Sequence, residues 1–151
     1  MIISFAGHAS VTSKNEVKEL VKEQIRLNVI NAESVICYLG GYGDFDELCA
    51  VACNELKREM SRIEVVYVTP YISSVHSKMK AVGTKGLYDA SVYPPIEKAP
   101  HRFAISKRNE WMMANADLII AYVSHSWGGA YKSLEIAKRK KKKIINVYEL
   151  L

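Results

Sequence analysis

The chain has 151 residues, 49% of them hydrophobic and 25% charged, which suits one globular domain over 1–151 with a substantial core. No apolar run approaches the roughly 20 residues of a membrane helix, and the opening MIISFAGHAS has no basic n-region of a signal peptide. The net charge of +5 hints at nucleic acid, but residues 138–143 supply six positive charges and leave the rest of the chain one charge negative. The basicity is therefore a local cluster, and nucleic acid is not expected as a partner. Three cysteines, Cys37, Cys49 and Cys53, are an odd number. They point to a reducing, cytoplasmic setting rather than a disulfide scaffold.

Residues 2–6 form a short apolar run ending at Gly7-His8 and read as a first strand. Ser13 or Asn15 can cap a helix in which Val17, Leu20, Val21 and Ile25 approximate helical spacing. Residues 35–39 are a second apolar strand, unbroken as parallel strands covered on both faces are. It runs into Gly40-Gly41-Tyr42-Gly43-Asp44 and then a helix over 45–60 with Leu48, Val51, Ala52, Leu56 and Met60 on one side. A third strand over 64–69 stops at Pro70. Residues 71–100 are irregular and hold Pro94, Pro95 and Pro100, with a short helix expected over 77–82 and a short strand over 87–92. A connection of this length suits a functional loop. A helix over 101–116 leads into an apolar strand over 117–123, a loop with Gly128-Gly129, a helix carrying Glu135, and a last strand over 144–147.

This alternation predicts the α/β class: a Rossmann-like three-layer sandwich with a mainly parallel sheet of about five strands and right-handed crossovers. Ligands of such folds sit beyond the C-terminal ends of the strands. Gly7-His8, residues 40–44 and residues 124–129 all fall at such ends.

Gly40, Gly41 and Gly43 permit close approach of a ligand to the backbone, although the pattern is neither the dinucleotide fingerprint nor a Walker loop. The plain reading is a tight strand-to-helix turn. Asp44 and Asp46 either cap the next helix or meet ribose hydroxyls. Gly128, Gly129, Lys132 and Ser133 combine helix-start amides, an ammonium and a hydroxyl, which suits a phosphate. Glu135 either complements the helix dipole or faces a sugar. Arg108 either pairs with a phosphate or forms an ion pair with Asp117 or Glu110. Trp111, Trp127 and Tyr131 stack on a base or simply pack. His8 and His125 are site candidates ranked below Glu135. Cys49 and Cys53, four apart on a helix, read as packing before metal binding. The 138–143 run suits the dipole at a helix end. It lacks the interleaved aromatics of a nucleic-acid surface.

Taken in order, Gly7-His8, Gly40-Gly41-Tyr42-Gly43-Asp44-Phe45-Asp46, Arg108-Asn109-x-x-Met112, Asp117 and Gly128-Gly129 resemble the SLOG superfamily. That superfamily includes the Lonely Guy phosphoribohydrolases and the DNA-processing protein A fold. The resemblance covers nearly the whole chain and is nearest to small bacterial and phage members. Residues 108–112 are similar to the Arg-Lys motif of Lonely Guy enzymes, with Asn109 for lysine, and residues 128–135 to their GGxGTxxE, with Tyr131 for glycine and Lys132 for threonine. The resemblance implies binding of a nucleotide or nucleotide-derived ligand. It also implies cleavage of an N-glycosidic bond, with Arg108 and Glu135 as catalytic residues. The residues and the resemblance together give the expected ligand set Gly7, His8, Gly40, Gly41, Gly43, Asp44, Asp46, Asn109, Gly128, Gly129, Lys132 and Ser133, with no cofactor or metal expected. The alternatives are a non-catalytic sensor or sponge for a signalling nucleotide, and a DNA-associated protein using the 138–143 run. Relatives of this kind often dimerise, so a homodimer is among the expected states.

Overall fold

A computed structural model describes residues 1–72 and 86–151, and the helix expected over 77–82 lies outside them. The strands are β1 (Ile2–Gly7), β2 (Val35–Leu39), β3 (Ile63–Val68), β4 (Ala90–Val92), β5 (Leu118–Tyr122) and β6 (Lys143–Asn146). Among the described residues the α-helices are α1 (Lys14–Asn28), α2 (Gly43–Glu59), α3 (Ala104–Ala114) and α4 (Gly129–Arg139). All strand pairs are parallel, in the order β4-β3-β2-β1-β5-β6. The expected α/β class stands. Among the described residues the sheet has six strands rather than about five, because the three residues of β4 extend it beside β3.

Helices cover both faces, so strand residues of either parity are buried. All five residues of β5 are buried, which is why its sequence is an unbroken apolar run. Along β1, Ile3 and Phe5 enter the core under α1 and α2. Ala6 enters the core on the other face, with Met112, Met113 and Ala137 of α3 and α4. Ser4 shares that second face, where its hydroxyl donates to the Met112 carbonyl at 2.8 Å.

Helix α1 buries Val17, Val21 and Ile25, a spacing of one helical turn per step. Ser13 occupies its N-cap position, yet the side chain makes no capping hydrogen bond. Helix α2 buries Phe45, Leu48, Cys49, Ala52, Cys53 and Leu56. The cysteines are thus core residues, and burial pushes the Cys49 thiol well up. Glu55 of α2 bridges to Lys18 at 2.8 Å and Lys22 at 2.9 Å, tying α2 to α1.

From β1 the chain builds outward through β2 and β3 to β4. It then returns to the opposite side of β1 for β5 and β6. The direction reverses between β1 and β5, and the crevice beyond their C-terminal ends is the place where open α/β sheets hold ligands. No helix among the described residues is long and apolar enough to cross a membrane.

Candidate functional site

The ends of β1 and β5 meet through His8. Its amide donates to the Tyr122 carbonyl at 3.2 Å, and its Nε2 accepts from the Ser124 amide at 2.9 Å. The His8 ring lies parallel to His125, with centroids 3.8 Å apart and planes 9° apart. His125 in turn stacks on Trp127 at 3.9 Å and 19°. The His125 Nδ1 is 3.1 Å from the Trp127 carbonyl, which only accepts, so that nitrogen carries a proton. His8 accepts at Nε2, so as a neutral ring it carries its proton on Nδ1. Burial, and then His125, lower the His8 pKa below its ordinary value. The result is a three-ring column at the switch point whose outermost ring, Trp127, is 70% exposed.

Beside the column, Gly128 is the N-cap of α4. The first helical hydrogen bond runs from the Lys132 amide to the Gly128 carbonyl at 3.1 Å. The amides of Gly129, Ala130 and Tyr131 precede that bond and face the end of the helix, where the dipole favours an anion. Lys132 is exposed there, whereas Ser133 is buried. Glu135 lies a turn further on, with its carboxylate 3.3 Å from Lys138.

The loop after β2 is bound to the loop after β1. The Asp44 amide donates to the Ala9 carbonyl at 2.8 Å, and the Asp44 carboxylate accepts from the Val11 amide at 3.0 Å. That bond to Val11 is the main reason the Asp44 carboxyl lies below its usual range. Asp46 accepts from the Tyr42 amide at 3.1 Å at the start of α2. Gly7 and Gly43 leave no room for a side chain. A Cβ at Gly7 would lie 2.2 Å from the Phe45 ring, and one at Gly43 would lie 2.7 Å from the Ala9 Cα. Both glycines therefore have packing reasons that hold with or without a ligand.

Arg108, in the second turn of α3, is 5% exposed. Its Nη1 donates to the Gly40 carbonyl at 3.0 Å and the Val68 carbonyl at 2.8 Å, and its Nε to the Asn109 Oδ1 at 2.8 Å. Burial lowers its pKa, with Asp46 opposing. The guanidinium thus clamps the ends of β2 and β3, which stand two and three strands from β5 in the sheet. Its expected ion-pair partners are engaged elsewhere: Asp117 accepts from the Ile2 amide at 2.8 Å, and Glu110 lies 3.5 Å from Lys107. Gly41 sits beside the Tyr67 ring on the same side of the sheet.

Further exposed groups line this edge. Phe103 is 43% exposed, with the Arg102 guanidinium 4.8 Å from its ring centre. Tyr42 is 75% exposed at the end of β2. Tyr71 stacks on His101 at 4.7 Å. Arg102, Lys107 and Lys132 are exposed, with Lys107 paired with Glu110 at 3.5 Å. By contrast, Trp111 packs against Tyr38, and Tyr131 packs against the buried Ala121, Val123 and Leu134.

No protein-family model matches the sequence. No curated protein matches it either. Among the solved structures similar to the chain are two of DNA processing protein A. DNA processing protein A from Helicobacter pylori is 16% identical, with a TM-score of 0.61 over 95% of this chain and 63% of that one. DNA processing protein A from Streptococcus pneumoniae is 14% identical, with a TM-score of 0.66 over 94% of this chain and 48% of that one.

The chain has the fold of DNA processing protein A. That is the fold which the resemblance to the SLOG superfamily implied. The chain spans about two thirds and about half the length of these two structures. The Helicobacter DNA processing protein A binds single-stranded DNA. This corrects the expectation that nucleic acid is not a partner, because a protein of this same fold is a nucleic-acid binder. The 138–143 run that carries the net charge lacks aromatics, whereas the Arg102 guanidinium lies over the exposed Phe103 ring just before α3.

His125 and Trp127, which the sequence leaves as minor candidates, form the outer two rings of the column, and Arg102 with Phe103 is a contact no motif marks. The signal that marks the first two is a ring-bearing tripeptide, residues 125–127, immediately after an apolar strand and before a glycine helix start.

Proposed function

We propose that the chain binds single-stranded nucleic acid along the C-terminal edge of its sheet. One base stacks on Trp127, and the adjoining phosphate lies at the start of α4 near Lys132. The observation that carries this reading is the exposed Trp127 at the end of a preassembled ring column at the switch point. An aromatic held in place by its neighbours takes a base without first being ordered, and every base has a face to offer. Such stacking contributes about 1–3 kcal/mol per base. The amides of the α4 N-terminus and the Lys132 ammonium supply the complementary anion contacts. The shared fold with a single-stranded DNA binder supports the same reading.

Fluorescence anisotropy tests it with a labelled single-stranded oligodeoxynucleotide, its duplex form and unlabelled mononucleotides as competitors. The single strand should bind. The duplex should compete poorly, because its base faces are occupied by neighbouring pairs. Trp127→Ala should weaken binding by roughly 5- to 150-fold, the equivalent of one stacked base. Absence of binding, or binding indifferent to Trp127→Ala, defeats the proposal. A mononucleotide that competes as tightly as the strand would return the site to a small nucleotide ligand.

A further inference from the structure

A hydrogen bond from Ser124 to His8 ties the ring column to the end of β1, next to Val123, which the Asn146 side chain holds. The loop after β5 turns at Ser124, and the Ser124 amide is held by His8 Nε2 at 2.9 Å. From there the order passes outward: His8 holds His125 face to face at 3.8 Å, and His125 holds Trp127 by stacking and by its Nδ1 bond to the Trp127 carbonyl. Trp127 itself, mostly exposed, has no layer of protein over it to keep it there.

We propose that His8 is a positioning residue which makes the Trp127 platform proton-sensitive: neutral His8 holds residues 124–127 in the stacked arrangement, and its protonation releases them. The consequence for function rests on the single-stranded nucleic acid reading above, but the device itself does not. The chemistry follows from the acceptor. A protonated imidazole donates from both nitrogens, so an N–H at Nε2 would point at the Ser124 N–H and the bond would become a repulsive contact.

Among the described residues no carboxylate pairs with His8 to compensate the cation. On the β5 side His8 meets the edge of Tyr122 at 6.1 Å and the face of His125. A positive charge on both stacked rings would place like charges about one ring spacing apart. On the α2 and α1 side, Asp44 and Lys14 are paired with each other at 3.5 Å, and the Asp44 carboxylate is also bonded to the Val11 amide. Burial and His125 lower the His8 pKa in the stacked arrangement. A group whose pKa is lower in one arrangement than in the other favours that arrangement at high pH. The stacked form is therefore lost as pH falls below the ordinary histidine value of about 6.5.

The test uses the free protein, so its failure is separable from failure of nucleic-acid binding. In a Trp111→Phe background Trp127 is the remaining tryptophan of two. Its emission and the Ser124 amide resonance are followed from pH 8 to pH 5, together with the ring carbons of His8. The expected result is that the Ser124 amide, the Trp127 emission and the His8 ring share one step with a midpoint below the ordinary histidine value. His8→Gln offers a carboxamide oxygen to the Ser124 amide but has no proton to gain, and should lose that step. An amide that stays still while His8 titrates, or the same step in His8→Gln, overturns the proposal. Should His8→Gln not fold, agreement or disagreement between the His8 and Ser124 midpoints in the wild-type chain decides it alone.

Discussion

Arg108 shows how one residue type supports two readings that only its neighbours separate. A guanidinium presents a planar fork suited to phosphate. Here its Nη1 holds the carbonyls of Gly40 and Val68, and its Nε the Asn109 side chain. Arg108→Met would leave two strand-end carbonyls buried without a donor. An unpaired buried polar group costs about 1–3 kcal/mol, so chemical denaturation should show a loss of roughly 2–4 kcal/mol. Trp127 is the opposite case. It is exposed and its loss removes little packing, so Trp127→Ala should leave the melting temperature nearly unchanged while weakening strand binding as described above. The two variants together separate a residue that builds the edge from one that uses it.

At the scale of elements, α4 has opposite duties at its two ends. Its N-terminus faces the site beside Trp127, and Lys132 lies in its first turns. If the Lys132 ammonium meets a phosphate of the bound strand, Lys132→Ala should reduce the slope of log affinity against log salt by about 0.7, the release of one counterion from a single strand. A titration between 50 and 300 mM salt reads it directly, and an unchanged slope would remove Lys132 from the contact. Helices α1 and α2 depend on charge in a different way. Hydrogen bonds from Lys18 and then Lys22 hold the Glu55 carboxyl below its usual range. A carboxylate with a depressed folded pKa stabilises the fold above its unfolded pKa, and that stability fades as pH falls through the folded value. The melting temperature should therefore drop on acidification from about pH 5 to pH 3. Glu55→Gln should melt lower at pH 7 and lose the difference at the acid end. Calorimetry across pH checks both points.

At the scale of the molecule, the parallel topology places the two candidate nucleic-acid surfaces at opposite edges. Lys143 begins β6 level with Leu118 at the start of β5, and Leu118 is level with Ile3 near the start of β1. The 138–143 run thus lies at the N-terminal edge of the sheet, where the Lys143 ammonium reaches Asn28 at the end of α1. The site lies at the other edge, about 16 Å away along α4 at 1.5 Å per residue. A short single strand seated on Trp127 should not need the basic run. The triple substitution of Lys140, Lys141 and Lys142 to Ser should change the affinity of a short oligonucleotide by less than about twofold beyond general screening. A loss comparable to that of Trp127→Ala would move the nucleic-acid surface to the run.

Much of the fold was legible in the residues themselves. Uninterrupted apolar runs at 35–39 and 118–123 suit strands covered on both faces, and their alternation with helical spacing makes a parallel α/β sheet the consistent arrangement. The edge at which folds of this kind hold ligands follows from that topology, and the loops carrying Gly7-His8 and residues 124–129 lie at strand ends as expected. Contacts between residues far apart in the chain were not legible. His8 and Ser124 are 116 positions apart and share a hydrogen bond. Arg108 and Gly40 are 68 apart, and the guanidinium is bound to the backbone there. Local pattern reports what a residue needs, burial or solvent, a turn or a helix. Which partner meets that need depends on strand order and on the crossing of the chain from β4 back to β5. For that reason the sequence alone determined where a ligand edge would form, and only the tertiary structure decided that a column of three rings stands on it.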